Sequence, residues 1–348
     1  MIDAEGFSKT LSSRELVTAL KAAAEPTRLR ILVLLKSGEL NVKDLMQILR
    51  QSQPRLSRHL KLLFEAGLVE RFREGSWVYF RLSERASLGK LAEILTSLVD
   101  GGDPDIGRDQ ERLEAVKDER EHAAQSYFEE HAGEWDRIRS LHVSEAEVEA
   151  AMLEALGGDR VGLLVDLGTG TGRTLELFAD RYERAVGFDV NQAMLGYARA
   201  KLSQAGLDTA QVRHGDIYNL SLEANQADAV IMHQVMHYLS DPADALNEAA
   251  RVIQPGGRLL IVDFAPHQVE FLRESQAHER LGFSTEQVAD WLRASGLKLS
   301  KTRELAPAEP GGERLTVMLW LAEKPGIGAM AHKTARQAGR QSELLEEM

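Results

Sequence analysis

Three glycines at alternate positions in "VDLGTGTGR" (165–173) are the first residues whose types and spacing could do chemistry. Glycines let a backbone approach a ligand with no Cβ in the way, and the strand-to-helix turn of an open α/β sheet is where such sheets bind ligands. Gly168, Gly170 and Gly172 follow G-x-G-x-G, which differs from the G-x-G-x-x-G of pyrophosphate-binding turns. Asp189 ends the next apolar run, 21 residues after Gly168, where a carboxylate can accept both hydroxyls of a ribose. Asp216, in "HGD", closes the third run and can accept from an adenine amino group. His233, Asp263 and His267 sit near later strand ends and are candidate bases, of which His233 is the one carried forward as catalytic. A base is needed only where an acceptor must lose a proton.

A second set of chemistry-bearing residues lies near the other end of the chain. In "SQPRLSRHLKLLFEAG" (52–67), Leu56, Leu60 and Leu63 fall on one arc at helical spacing. Arg55, Arg58 and Lys61 then point away from that arc, with Gln53, Ser57 and His59 completing the candidate reading surface. Such a helix suits a DNA major groove, where Arg reads guanine and Gln reads adenine while Lys and Ser hold phosphates. Arg71, Arg73 and Arg81 flank Gly75 in a run that alternates like a β-hairpin and would suit backbone contacts. A short basic run alone reads as a solvated helix face. A capped short helix, a Pro-started basic helix and a Gly-tipped hairpin in that order favour DNA.

These residues need elements to position them. Residues 1–99 hold 16 Lys and Arg against 11 Asp and Glu, whereas the remainder holds 26 against 43, although the whole chain of 348 residues is at −12. The asymmetry suggests two domains with separate tasks. Helical patterns with Pro26 in a first turn, Gly38 as a stop and Asn41 and Ser52 as caps occupy the N-terminal third, and a helix from Ser87 to Leu98 ends it. "VDGGDPDIGRD" (99–109) reads as a linker, extended through a charged stretch to residue 119. From about 162, short apolar runs alternate with helical patterns: "GLLVDLG", "RAVGFDV", "AQVRHGD", "ADAVIMHQ", "GGRLLIVDF", then "LKLSKTREL" and "RLTVMLWLAEK" as a closing pair. That alternation means a mostly parallel sheet covered on both faces. The expected domains are therefore 1–98, a linker at 99–119, 120–324, and a polar tail at 325–348.

With no cysteine, disulfides, thiolate metal sites and cysteine nucleophiles are excluded. No run of about 18 apolar residues is present, so no membrane span is expected. The first residues lack the basic start and apolar block of a secretory signal, and a cytoplasmic location is the expectation.

The stretches "AEPTRLRILVLL", "SQPRLSRHLKLLFEAGLVE" and "REGSWVYFRL" resemble the ArsR family of winged-helix repressors over roughly residues 14–98. The resemblance implies an α+β winged helix-turn-helix domain, and a homodimer reading a two-fold symmetric double-stranded operator. It also implies that the Leu88–Leu98 helix joins the first helix in the dimer seam. That family's metal sensors carry thiolates in the motif written here "ELNVKDL" (39–45), where Asn41 and Lys43 stand instead. Its other frequent metal site uses Asp and His on the last helix, which offers only Glu93 here. No metal is expected.

"VDLGTGTG", "GFDVNQAML", "HGDIYNL", "ADAVIMHQVMHYLSDP" and "EAARVIQPGGRLLIVDF" resemble, in order and spacing, the class I methyltransferases that use S-adenosyl-L-methionine (SAM), over roughly residues 120–323. The resemblance implies an α/β Rossmann-like domain with a mostly parallel seven-stranded sheet whose seventh strand is antiparallel. It puts Asp166, Gly168, Gly170 and Gly172 near the methionine part of SAM, Asp189 and Val190 at the ribose, and Asp216 with Ile217 at the adenine. His233 and Gln234 would face the cofactor or the acceptor. "SYFEEHAGEWD" (126–136) resembles a cap over SAM, making Tyr127, Phe128 and Trp135 candidates. The missing cysteines exclude arsenite methylation, and "MHQVM" replaces the motif of amino-methylating DNA enzymes.

The expected function is a DNA-binding transcriptional regulator, a repressor, gated by SAM or its product S-adenosyl-L-homocysteine (SAH). The alternatives are an active small-molecule methyltransferase whose DNA-binding domain controls its own gene, and a winged-helix domain kept only for dimerisation.

Overall fold

Pro26 has no amide hydrogen to lose in a first turn, and it opens the second helix of the computed structural model, which describes residues 10–74, 77–83, 86–132, 145–307 and 315–326. The chain divides into two units, Met1–His122 and Ala123–Met348.

In the first unit α1 (Ser13–Ala23) starts from a capping box between Ser12 and Glu15, and α2 (Pro26–Lys36) follows. A two-residue strand β1 (Leu40–Asn41) leads into α3 (Val42–Leu49), and α4 (Gln53–Glu65) comes next. The ribbon β2 (Val69–Glu74) and β3 (Trp77–Leu82) pairs antiparallel, with β1 on the other side of β3. The helix α5 (Ala86–Ser97) precedes α6 (Pro104–His131), inside which the division between units falls. This is the expected winged helix-turn-helix. Leu56, Leu60 and Leu63 of α4 are buried together with Ile31, Leu32 and Leu35 of α2 and Leu45 of α3. Asn41 does cap α3, accepting from the Asp44 amide at 3.0 Å while Asp44 accepts from the Asn41 amide at 3.0 Å.

Residues 104–119, expected as part of a linker, are helical and belong to the first core. Leu113 and Val116 are buried in it. Asp109, 2 % exposed, takes a two-pronged bond from the Arg30 guanidinium, both contacts at 2.6 Å. Arg112 donates to the Ile48 carbonyl at 3.0 Å. A buried carboxylate that meets a guanidinium fork in this way fixes a segment that its own composition leaves open.

The second unit begins its regular structure with α7 (Glu145–Leu156) and β4 (Val161–Leu167). Then come α8 (Arg173–Leu177), β5 (Tyr182–Asp189), α9 (Gln192–Gln204), β6 (Ala210–His214) and β7 (Ala227–His233). The chain continues through α10 (Pro242–Val252), β8 (Ile253–Phe264), α11 (Phe271–Ser275), α12 (Thr285–Ala294), β9 (Lys298–Leu305) and β10 (Val317–Glu323). All seven expected runs are strands, in the order β6-β5-β4-β7-β8-β10-β9. β10 runs antiparallel to both neighbours and the pairs β4–β5, β4–β7, β5–β6 and β7–β8 are parallel. Buried residues of α7, α8 and α9 cover one face, and those of α10 and α12 the other. Strand order reverses between β4 and β7, so a crevice opens beyond their carboxyl ends, where β4 delivers the glycines.

Among the described residues no helix is long and apolar enough to cross a membrane. Trp135 and the tail from 327 lie outside the described residues.

Candidate DNA-reading face and cofactor crevice

The helix α4 exposes Gln53, Arg55, Ser57, Arg58 and Lys61 on the side away from its buried leucines. Lys61 shares its surroundings with Glu65 at 3.7 Å, a solvated pair one turn apart. His59 behaves differently. It stands one turn from Leu56 and beside Leu60, on the inner side, where its Nδ1 lies 3.5 Å from the Glu25 carboxylate that caps α2. Burial lowers the His59 pKa, the Glu25 charge only partly opposing it. The helical spacing that identifies the leucine stripe places His59 beside it.

On the ribbon, Arg71 and Arg73 are exposed, and the Arg71 guanidinium lies 4.7 Å from the centre of the Phe64 ring of α4. Arg81 instead turns to Glu70 at 3.2 Å and Glu39 at 3.7 Å, so it ties the ribbon to the segment before β1. The tip at 75–76 is outside the described residues.

In the second unit the glycine turn is built by backbone. Gly168, Gly170 and Gly172 have φ of 72°, 51° and 82°, the left-handed region where a Cβ is costly. The amides of Gly168 and Thr169 both donate to the Phe188 carbonyl at 2.9 Å. A Cβ on Gly168 would stand 2.3 Å from the Val235 side chain, so the turn touches the segment that leaves β7. Asp166, just ahead of the turn, is buried.

Asp189 ends β5 partly buried, with one oxygen accepting from the Gly170 amide and the other from the Asn191 amide, both at 2.8 Å. Burial raises its pKa, and the amides of Asn191, Gly170 and Val190 work against that shift. Each carboxylate oxygen carries a second lone pair, so a ribose diol can be held without displacing either amide. Val190 is exposed, and Ile217 is partly buried. Asp216 lies two residues beyond β6 in an exposed turn, where its side chain accepts from the Tyr218 amide at 2.9 Å.

His233 and Gln234 line a small crevice with Glu145, Val148 and Glu149 of α7. Gln234 is a non-glycine residue at φ 51°, 7 % exposed, and among the described residues its Nε2 has no hydrogen-bond partner. The buried Thr169 Oγ1 likewise has none. Gln234 adjoins Val235, which touches Gly168, and Thr169 follows Gly168, so two orphaned polar atoms flank the turn. Strained backbone and unsatisfied donors concentrate where a ligand completes the structure. From the cap stretch, Tyr127 lies with its ring centre 4.4 Å from that of His131, and burial raises its pKa. Phe128 meets Tyr238 edge-on at 4.7 Å.

Sequence spacing missed one pair. His237, paired with no partner there except His233, donates through Nδ1 to Asp263 at 2.8 Å, and both are essentially buried. Asp263 sits near the end of an otherwise apolar strand, "LLIVDF", and a carboxylate there must find a donor. That was the available signal. His267 packs edge-on against Phe264 at 6.1 Å. Among the described residues no group of three or more His, Asp or Glu is arranged to hold a metal.

Residues 25–71 match the family described as "Bacterial regulatory protein, arsR family", and residues 165–261 match "Methyltransferase domain". The arsenical resistance operon repressor of Escherichia coli is 50% identical over 68 residues, 19% of this chain and 58% of that protein. A Mycolicibacterium smegmatis protein named "probable S-adenosylmethionine-dependent methyltransferase" is 31% identical over 108 residues, 31% of this chain and 39% of its own. A solved structure of YcgJ from Bacillus subtilis is similar at 18% identity and a TM-score of 0.45, covering 52% of this chain and 99% of that one. The chain thus spans only about a third to three-fifths of the first curated relatives it matches.

Fold and matches together define a protein that joins a winged helix-turn-helix unit to a methyltransferase-fold unit. The chain carries an ArsR-family winged helix-turn-helix domain followed by a class I methyltransferase domain. SAM, or SAH as its spent form, is the cofactor of such a domain, and the residues present fit it: a glycine-walled turn, a diol-ready Asp189 and orphaned donors at Thr169 and Gln234.

Proposed function

We propose that the protein is a DNA-binding transcriptional repressor whose methyltransferase-fold domain takes SAM or SAH as its effector. The observation that carries this reading is the fate of Asn41. In the metal sensors that the N-terminal domain resembles, this motif binds the signal. Here Asn41 is 2 % exposed and occupied by the Asp44 capping box, while Lys43 is exposed. A side chain spent on a helix cap is not a ligand, so the signal enters elsewhere. The crevice around Gly168, with its orphaned donors, offers an entry.

SAM and SAH differ by one methyl group and one positive charge. Asp166 and Asp189 near the turn give a means of telling them apart, because a sulfonium is attracted by carboxylates and a thioether is not. Gating then requires that the ligand bind the free and DNA-bound forms unequally. Exposed Leu16, Val17 and Leu20 on α1, with Ile94 on α5 and Leu98 just beyond it, support a homodimer seam of the kind the family resemblance implies. Gln53, Arg55, Ser57, Arg58, Lys61, Arg71 and Arg73 are the proposed DNA contacts, in the cytoplasm where operator DNA is found.

The second reading, an active SAM-dependent small-molecule methyltransferase that controls its own gene, is favoured by one observation, the buried His237–Asp263 pair. Fluorescence anisotropy of a labelled promoter fragment, titrated with the protein at saturating SAM or SAH, tests the first reading. The expected result is at least a tenfold change in DNA affinity with one of the two ligands. Unchanged affinity with both defeats it.

A further inference from the structure

The turn after β7 carries a side chain that cofactor binding does not require. His237 lies in the short 3-10 turn Met236–Tyr238, 2 % exposed, and its Nδ1 faces Asp263 Oδ1 at 2.8 Å. The Asp263 carboxyl, 0 % exposed, also accepts from the Phe264 amide at 2.8 Å and faces the His237 amide at 3.4 Å. In a neutral imidazole the nitrogen pressed against a carboxylate carries the hydrogen, and the other nitrogen, here Nε2, then has the lone pair. That is the arrangement in which an orienting carboxylate prepares imidazole to take a proton.

Rings surround it. Tyr238 lies 4.1 Å, His278 4.2 Å and Phe264 5.0 Å from the His237 ring centre, and Phe128 meets Tyr238 edge-on. Among the described residues the titratable groups facing the imidazole are Asp263 from β8, Tyr238 from its own turn, and His278 from the loop before α12. Tyr127 lies behind Tyr238, whose pKa burial and the Tyr127 and Asp263 charges push well up. His237 is two residues from Val235, whose side chain packs on the glycine turn. The base thus stands three residues along the chain from Gln234, which lines the crevice.

We propose that the methyltransferase domain methylates the oxygen of an acidic aromatic or enolic hydroxyl compound, with His237 as the base and Asp263 as its positioning residue. This rests on the crevice binding SAM and goes beyond a sensing role. The acceptor oxygen forms the new O–CH3 bond as the sulfonium S–CH3 bond breaks. That bond's electron pair stays on sulfur, giving the neutral thioether, and the hydroxyl proton passes to His237 Nε2 and then to solvent. A hydroxyl is the fitting class because imidazole matches the basicity needed for a phenol or enol near neutrality, whereas an alkylammonium, an acid as weak as Lys at about 10.4, is poorly matched to it. The aromatic wall favours a planar ring.

4-Nitrophenol is the probe, since only its ionised form absorbs in the visible. The full-length protein with SAH bound is titrated with it at about pH 6.5, where the free compound is mostly neutral and an ordinary imidazole is about half unprotonated. Expected is a phenolate band at saturation, reduced at least tenfold in His237→Gln and severalfold in Asp263→Asn, with methyl transfer from labelled SAM to nitrophenol falling in the same order. A band of equal strength in His237→Gln, or no band in the wild type, overturns the proposal. Should the variants lose cooperative melting, the wild-type 15N imidazole spectrum decides. The His237 Nε2 signal must show a gained proton when nitrophenol is added, and an unmoved signal overturns the proposal. Calorimetric SAH binding on the same sample separates the two levels: binding without phenolate removes only the transfer reaction, and no binding removes the cofactor reading with it.

Discussion

Gly168 and Gly206 both adopt the left-handed backbone, at φ 72° and 67°, yet their surroundings differ. A Cβ on Gly206 meets nothing within 4 Å, whereas one on Gly168 would lie 2.3 Å and 2.8 Å from Val235 carbons. Gly206→Ala therefore isolates the backbone cost, about 1 kcal/mol once the lower entropy of the unfolded alanine chain is allowed for. Gly168→Ala adds forced overpacking of a buried turn, about 1–3 kcal/mol more. Urea unfolding of the full-length protein, followed by a signal from the second unit, should give about 2–4 kcal/mol against about 1 kcal/mol. Because Val235 can yield only by dragging Gln234 and the crevice wall with it, SAH affinity should fall about tenfold or more in Gly168→Ala, equivalent to about 1.4 kcal/mol. In Gly206→Ala it should not change. Equal destabilisation by the two substitutions, or full SAH affinity in Gly168→Ala, would refute the close packing of the glycine turn on the β7 exit.

Asp109→Asn strips the Arg30 fork of its charge partner while Arg30 stays largely buried, and should destabilise the first unit by about 2–3 kcal/mol in chemical denaturation. An effect below about 0.5 kcal/mol, as for a surface pair, would mean that α6 is not anchored there. Burial lowers the His59 pKa below 6.5, and at Glu25 the amides of Arg28 and Thr27 outweigh burial to lower its pKa below 4.5. Both groups bind fewer protons when folded, so their contribution is complete above those ordinary values and is lost as pH falls. The urea midpoint of the first unit should drop from near neutrality downwards, and His59→Gln should flatten the upper part of that profile; an identical profile in the variant contradicts the buried placement of His59. Lys61→Ala should weaken DNA binding evenly across sequences and reduce the salt slope by about one, whereas Arg55→Ala should relax sequence preference; the reverse pattern would exchange their assignments.

Local signals carried most of the fold. The seven strands were legible because each is a short apolar run bounded by turn residues, and Asn41, Pro26 and Pro54 announce helix starts through backbone chemistry that acts within four residues. Ser52 shows the limit even here, for it stands at the cap position without a side-chain cap bond. What the sequence concealed is long-range pairing. The segment 99–119 reads as a linker because Asp109 looks like any exposed acid until Arg30, 79 residues away, is brought to it. The same holds for His237 and Asp263, 26 residues apart, each visible and neither marked as half of a pair. His59 was legible and misread: a position one turn from Leu56 belongs to the inner face, whatever the charge of its neighbours.

The most direct measurement is calorimetric titration of SAH and of SAM into the protein, first free and then bound to its promoter DNA. Coupling is reciprocal, so the ligand's dissociation constant should differ between the two forms by the same factor that the ligand imposes on DNA affinity, tenfold or more for one of the pair. Equal constants for both ligands in both forms, or no binding heat at millimolar ligand, would contradict an adenosyl effector as the signal that replaces metal in the proposed repressor.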